Sequence, residues 1–114
     1  MPQQTSIDER FGKCPYATAQ SLISGKWSTL ILLYLDDGAK RFNELQRLMP
    51  KMTHATLSAQ LKQLTERGLV ERRQYEEIPP RVEYSLTDIG RKFRPVLDAL
   101  RDWGSEYIEY MNSK

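Results

Sequence analysis

The sequence has little of what covalent or metal chemistry requires. It holds one cysteine and one histidine in 114 residues. A lone thiol excludes an internal disulfide framework, and one thiol with one imidazole falls short of a zinc ligand set. There is no nucleophile elbow, no phosphate-binding glycine loop and no HExxH, and the carboxylates are scattered. No enzyme activity, cofactor or metal is therefore expected. No apolar run approaches the roughly 20 residues of a membrane-spanning helix; the longest, 30–35, is predicted to lie in the core. The opening MPQQTSIDER lacks a basic start followed by an apolar stretch, so no secretory signal is expected and the cytoplasm is the expected compartment. Repeats, low-complexity tracts and Gly/Ser linkers are missing too. The expected organisation is a tail at 1–13 and one domain at 14–112.

What is present is a folded-domain composition, 39% hydrophobic and 28% charged. A core this small is often completed by a second subunit. The net charge of +2 is unevenly spread. Residues 1–39 hold three Lys/Arg against four Asp/Glu, residues 40–94 twelve against seven, and residues 95–114 two against four. A basic middle between slightly acidic ends fits a central surface that faces a polyanion.

Ala17, Ala19, Leu22 and Ile23 predict a short helix over 16–24, ending near Gly25. A second helix over 26–36 is apolar nearly all round and is expected at the centre of the core, ending at Gly38. Asn43 as N-cap, with Gln46 in capping-box position, predicts a third helix whose buried stripe is Leu45, Leu48 and Met49. Pro50 stops it. Thr53 caps a fourth helix with Leu57, Leu61 and Leu64 inward, closed by Gly68. These two helices in series form a helix-turn-helix pattern. The period then changes: 69–75 and 82–86 read as strands around a loop stiffened by Pro79 and Pro80, and Thr87 caps a long last helix. The expected fold is mainly α with a small β-hairpin, a winged helix-turn-helix.

With the leucines inward, the fourth helix presents Ala55, Ala59, Lys62 and Glu66, flanked by Thr56 and Gln63. Thr53 and His54 stand at its N-terminus, where open amides and the helix dipole favour phosphate. Small, hydrogen-bonding side chains can approach base edges closely: Gln pairs with adenine, and Ala and Thr methyls meet thymine methyls. The expected DNA-contacting set is Arg41, Asn43, Lys51, Thr53, His54, Ala55, Thr56, Ala59, Lys62, Gln63, Arg73 and Arg81, with Lys40 and Arg72 adding charge. Arg81 is expected near the hairpin tip, reaching backbone or a narrow minor groove. A salt bridge to Glu76 or Glu77 is its alternative.

Along the last helix Ile89, Phe93, Val96, Leu100, Trp103, Tyr107 and Tyr110 recur at alternating spacings of four and three, with Leu97, Ile108 and Met111 beside them. This heptad seam favours a partner helix, and Pro95 is expected to kink it. The expected dimer contacts are Leu22, Phe93, Val96, Leu100, Trp103, Tyr107 and Tyr110, with the N- and C-terminal helices forming the interface. Two functions compete: a homodimeric regulator of transcription that reads double-stranded operator DNA, and a winged-helix module that binds proteins without DNA readout.

From Cys14 to about Tyr110 the chain resembles the HxlR-type, MarR-like winged-helix regulators of bacteria and archaea. The matching segments include Cys14-Pro15, Gly25-Lys26-Trp27, Arg41-Phe42-Asn43-Glu44-Leu45, Gly68-Leu69-Val70-Glu71-Arg72, Pro79-Pro80-Arg81-Val82-Glu83-Tyr84-Ser85-Leu86-Thr87, Gly90 and Trp103-Gly104. The resemblance implies a homodimer, held by its first and last helices, that binds operator DNA and represses or activates nearby genes. The chain departs from the family at Ala55 and at Ala59-Gln60, where relatives often carry a lysine and a glutamine-arginine pair, so its reading helix is less basic. The resemblance also makes Cys14, beside Lys13 and just before a helix start, a candidate redox sensor, with a half-buried cysteine that packs the dimer edge as the alternative.

Overall fold

The computed structural model describes residues 9–114, so residues 1–8 of the expected tail lie outside the described residues. The rest of that segment is tied to the first helix: the Gly12 amide donates to Thr18 Oγ1 at 2.8 Å, and the Cys14 amide to the Arg10 carbonyl at 2.9 Å. The elements then run α1 (Pro15–Ile23), α2 (Ser28–Leu35), β1 (Lys40–Arg41), α3 (Phe42–Leu48), α4 (His54–Glu66), β2 (Val70–Tyr75), β3 (Arg81–Leu86), α5 (Asp88–Arg91) and α6 (Arg94–Asn112). Among these residues no helix is long and apolar enough to cross a membrane.

The predicted stripe of Leu57, Leu61 and Leu64 packs into one core with Ile31, Leu32 and Leu35 of α2, Leu45 and Met49 of α3, and Val70 and Leu86 of the sheet. Each such leucine contributes about 1.5–3 kcal/mol by leaving water. Two expectations about burial are corrected. Leu30 and Leu33 on α2 and Leu48 on α3 are exposed, so α2 buries one side only. In place of Leu48, the turn residue Met52 enters the core.

The sheet has three antiparallel strands in the order β1-β3-β2. Pairing Val70↔Leu86, Arg72↔Tyr84 and Tyr75↔Arg81 builds the expected wing, and β1 adds an unexpected edge through Lys40↔Tyr84 and Arg41↔Glu83. Because β1 runs straight into α3, the cap of α3 also differs from expectation. Arg41, not Asn43, is the N-cap, and its amide donates to Glu44 Oε1 at 2.7 Å. Gln46 instead donates to the Met52 carbonyl and holds the turn between α3 and α4.

The C-terminal segment is two helices rather than one. Thr87 Oγ1 accepts from the Gly90 amide at 3.1 Å and so caps the short α5, not the long α6. Pro95 falls in the first turn of α6, where its missing N–H leaves no helical bond unmade, so it starts that helix instead of kinking it. Gly90 is placed by contact: a Cβ there would overlap the Leu69 carbonyl oxygen, which already accepts from the Thr87 amide at 3.1 Å.

Candidate functional site

Thr53 fixes the start of α4. Its Oγ1 accepts from the Thr56 amide at 3.1 Å and donates to Thr56 Oγ1 at 2.8 Å. Thr56 is therefore half-buried and part of the cap, while His54, Ala55, Ser58, Ala59, Lys62, Gln63 and Glu66 are exposed on the outer face. His54 lies against Phe42 of α3, with ring centroids 4.4 Å apart. Arg41, Asn43 and Lys51 are exposed on the strand, helix and turn that precede α4. Removing the Thr53 hydroxyl should cost about 1 kcal/mol, lowering the melting temperature by a few degrees, as thermal denaturation of Thr53→Ala will show.

Inward, α4 is held by contacts that sequence reasoning missed. Ser28, fully buried, donates through Oγ toward the Ser24 carbonyl at 3.0 Å and Gln60 Oε1 at 3.2 Å. Gln60 thus faces the domain, not the surface that Ala59 and Gln63 share. Its spacing was the available signal, since residue 60 lies three from Leu57 and four from Leu64 and so on their side of the helix. At the far end of α4, Arg67 Nη1 donates to the Leu22 carbonyl at 3.0 Å, joining α4 to α1.

The wing sorts its arginines by strand alternation. Tyr75 lies between two guanidinium groups on the outer side, Arg81 at 3.9 Å and Arg73 at 4.9 Å from its ring centroid. Arg81 is bound to Glu77 Oε2 at 3.0 Å and Glu83 Oε2 at 3.5 Å. The ion pair set out above as its alternative is formed, and Arg81 opens β3 at the base of the loop rather than at its tip. Lys40 is engaged as well: its hydrogen bond to Asp37, 2.6 Å long, and its charge hold that carboxyl below the usual carboxylate range. Lys51, Lys62 and Arg72 form no ion pair among the described residues.

The expected dimer residues fall into two groups. Leu22 and Phe93 are half-buried against the domain, where they border a small apolar cavity of about 190 Å³ between α1 and α5. Val96, Leu100, Trp103, Tyr107 and Tyr110 project from α6, with Trp103 66% exposed. The ring centroids of Trp103 and Tyr107 are 5.4 Å apart, and those of Tyr107 and Tyr110 5.7 Å. Arg94 anchors the root of this helix by pairing at 2.6 Å with Asp36, the C-cap residue of α2. Cys14, half-buried, is the N-cap residue of α1. No cluster of His, Cys, Asp and Glu among the described residues is placed to hold a metal ion.

Two helices in series, the second showing a polar face beside a small wing, define a MarR-like winged helix-turn-helix domain. The model of the HxlR-like helix-turn-helix family matches residues 22–112, and the chain belongs to that family of transcriptional regulators. It is 45% identical over 97 residues to YdeP of Bacillus subtilis, an uncharacterised HTH-type transcriptional regulator, covering 85% of this chain and 76% of that protein. A regulator of the same description from Methanothermobacter thermautotrophicus is 46% identical over 94 residues, covering 82% and 72%. Among solved structures, the redox regulator HypR in its reduced form superposes with a TM-score of 0.83 at 37% identity, covering 89% of this chain and all of that one. The reduced form of the regulator YodB from B. subtilis superposes with a TM-score of 0.74 at 34% identity, covering 82% and 93%.

Proposed function

We propose that the chain works in the cytoplasm as a homodimer that binds double-stranded operator DNA in a sequence-dependent way, with residues 14–112 as the working domain. The observation that carries this reading is the outer face of α4, which is free of large apolar side chains and rigidly capped by Thr53. Such a helix enters a major groove without steric obstruction, and Gln63 is its longest neutral side chain for base edges. Arg41, Asn43, Lys51, His54, Lys62 and Arg73 surround it as phosphate contacts. Arg81 supports the interface by neutralising Glu77 and Glu83, which otherwise repel the DNA backbone.

Salt titration of duplex binding tests the reading. The logarithm of the binding constant should fall by roughly 0.9 per phosphate contact for each tenfold rise in salt. Absence of duplex binding at low salt would favour the protein-interaction module instead. Gln63→Ala should cost about 1–3 kcal/mol on a preferred sequence and much less on unrelated DNA. Equal losses on both would remove Gln63 from base readout.

The likeness to HypR and YodB, one named a redox regulator and the other solved after diamide treatment, supports a thiol-responsive role for Cys14. With one cysteine per chain, its oxidation to a disulfide must join two chains or one chain and a small thiol, releasing two electrons and two protons to the oxidant. Cys14→Ser should abolish any response of DNA binding to diamide; an unchanged response rules the sensor out.

A further inference from the structure

We propose that the cleft between α4 and the inner face of the wing is a seat for one backbone phosphodiester, gripped from opposite sides by Lys62 and Arg72. The inference rests on the DNA-binding reading and identifies the contact that sets how the reading helix is turned in the groove.

Strand alternation brings the two cations together. Val70, Arg72 and Gln74 share one side of β2, and their partners Leu86, Tyr84 and Val82 share the same side of β3. Val70 and Leu86 are buried in the core, so this side faces the helices. Arg72 stands one step beyond Val70 on this side and, unlike it, is exposed. Lys62 follows Ser58 by one helical turn. Together with Thr65, Glu66 and Tyr84 they line a cleft of about 270 Å³. Arg73 and Arg81 lie on the other side of the sheet, over Tyr75, and take no part.

Neither cation of this cleft is held in an ion pair among the described residues. Lys40, Arg81, Arg91, Arg94 and Arg101 are each paired with a carboxylate; Lys62 and Arg72 are not, and unlike the unpaired Lys51 they line one shared cleft. Two cations facing one space repel each other until an anion enters between them. Ser58 and Tyr84 add hydroxyl donors, while the Thr65 hydroxyl is already used on the Leu61 carbonyl at 2.7 Å. Glu66 also borders the cleft, leaving one net positive charge. That balance suits the single charge of a phosphodiester better than the double charge of a free phosphate. An anion held here touches helix and sheet at once, so it fixes the rotation of α4 as well as its depth.

The test uses the whole chain and a duplex that it has selected from random DNA, carrying one neutral methylphosphonate at each backbone position in turn. Lys62→Ala and Arg72→Ala should each weaken binding about tenfold, in line with a lost charged hydrogen bond. The double variant should weaken it by much less than the product of the two. One methylphosphonate position per half-site should make both substitutions silent. Effects that multiply, or that map to different phosphates or to none, overturn the seat while leaving DNA binding intact. A wild-type chain that binds no duplex in a salt-dependent way overturns the DNA reading itself. Inorganic phosphate at constant ionic strength should displace the duplex no better than sulfate; selective displacement by phosphate overturns the diester assignment. Lys62→Gln and Arg72→Gln repeat the series should either alanine variant melt early.

Discussion

Trp103→Ala is expected to turn the proposed dimer into folded monomers. Its indole is 66% exposed in the single chain and touches Tyr107 of its own helix, so truncation leaves no hole in the domain core. The loss should fall on association. Large aromatic residues at the centre of an interface cost about 2–4 kcal/mol when cut to alanine. A two-fold interface loses the residue twice, so the dimer should weaken by more than a hundredfold. Sedimentation velocity at micromolar concentration should show monomers, with far-ultraviolet circular dichroism unchanged. A variant that stays dimeric places the contact elsewhere than on the aromatic row of α6.

Gly90→Ala should be the most damaging small change in the domain. Helix propensity alone predicts a gain of about 1 kcal/mol, since alanine is the better helix former. The structure predicts the reverse, because the new methyl group would overlap the Leu69 carbonyl oxygen, a backbone atom that cannot rotate away. That oxygen also accepts from the Thr87 amide, so moving it breaks the junction of β2 and α5. Overpacking of this kind costs up to about 3 kcal/mol, a drop in melting temperature of roughly 10 °C. Calorimetry on the variant decides between the two, since they differ in sign.

These residues also show what a sequence reveals and what it hides. Helix α4 was legible because Leu57, Leu61 and Leu64 repeat over two turns and a single inward stripe fixes the opposite face. The two-residue β1 was not, because so short a segment shows no alternation and owes its existence to β3. The break between α5 and α6 was masked by an apolar spacing that continues through it: Ile89 belongs to α5, Phe93 precedes α6, and both keep the heptad interval. At the site, exposure of Ala59, Lys62 and Gln63 followed from the stripe alone. The pair of Arg81 with Glu77 was one of the two stated outcomes, but the stacking of Arg81 on Tyr75 and the place of Arg72 opposite Tyr84 depend on strand register, and the cap bond of Thr56 depends on the turn before α4.

The outer edge of β2 has a consequence of another kind. In the order β1-β3-β2 this strand is hydrogen-bonded on one side only, leaving a row of backbone groups open along Val70–Tyr75. Such an edge is a template on which a second chain can add a strand and begin a fibre. Here it runs through Glu71, Arg72, Arg73 and Gln74, all exposed. Desolvating three charges to zip up another copy is costly, and like charges would meet across an antiparallel repeat. Arginines suited to a polyanion therefore also keep the wing from polymerising when chains crowd together. Replacing Arg72 and Arg73 together by β-branched apolar residues trades that protection for a sticky edge.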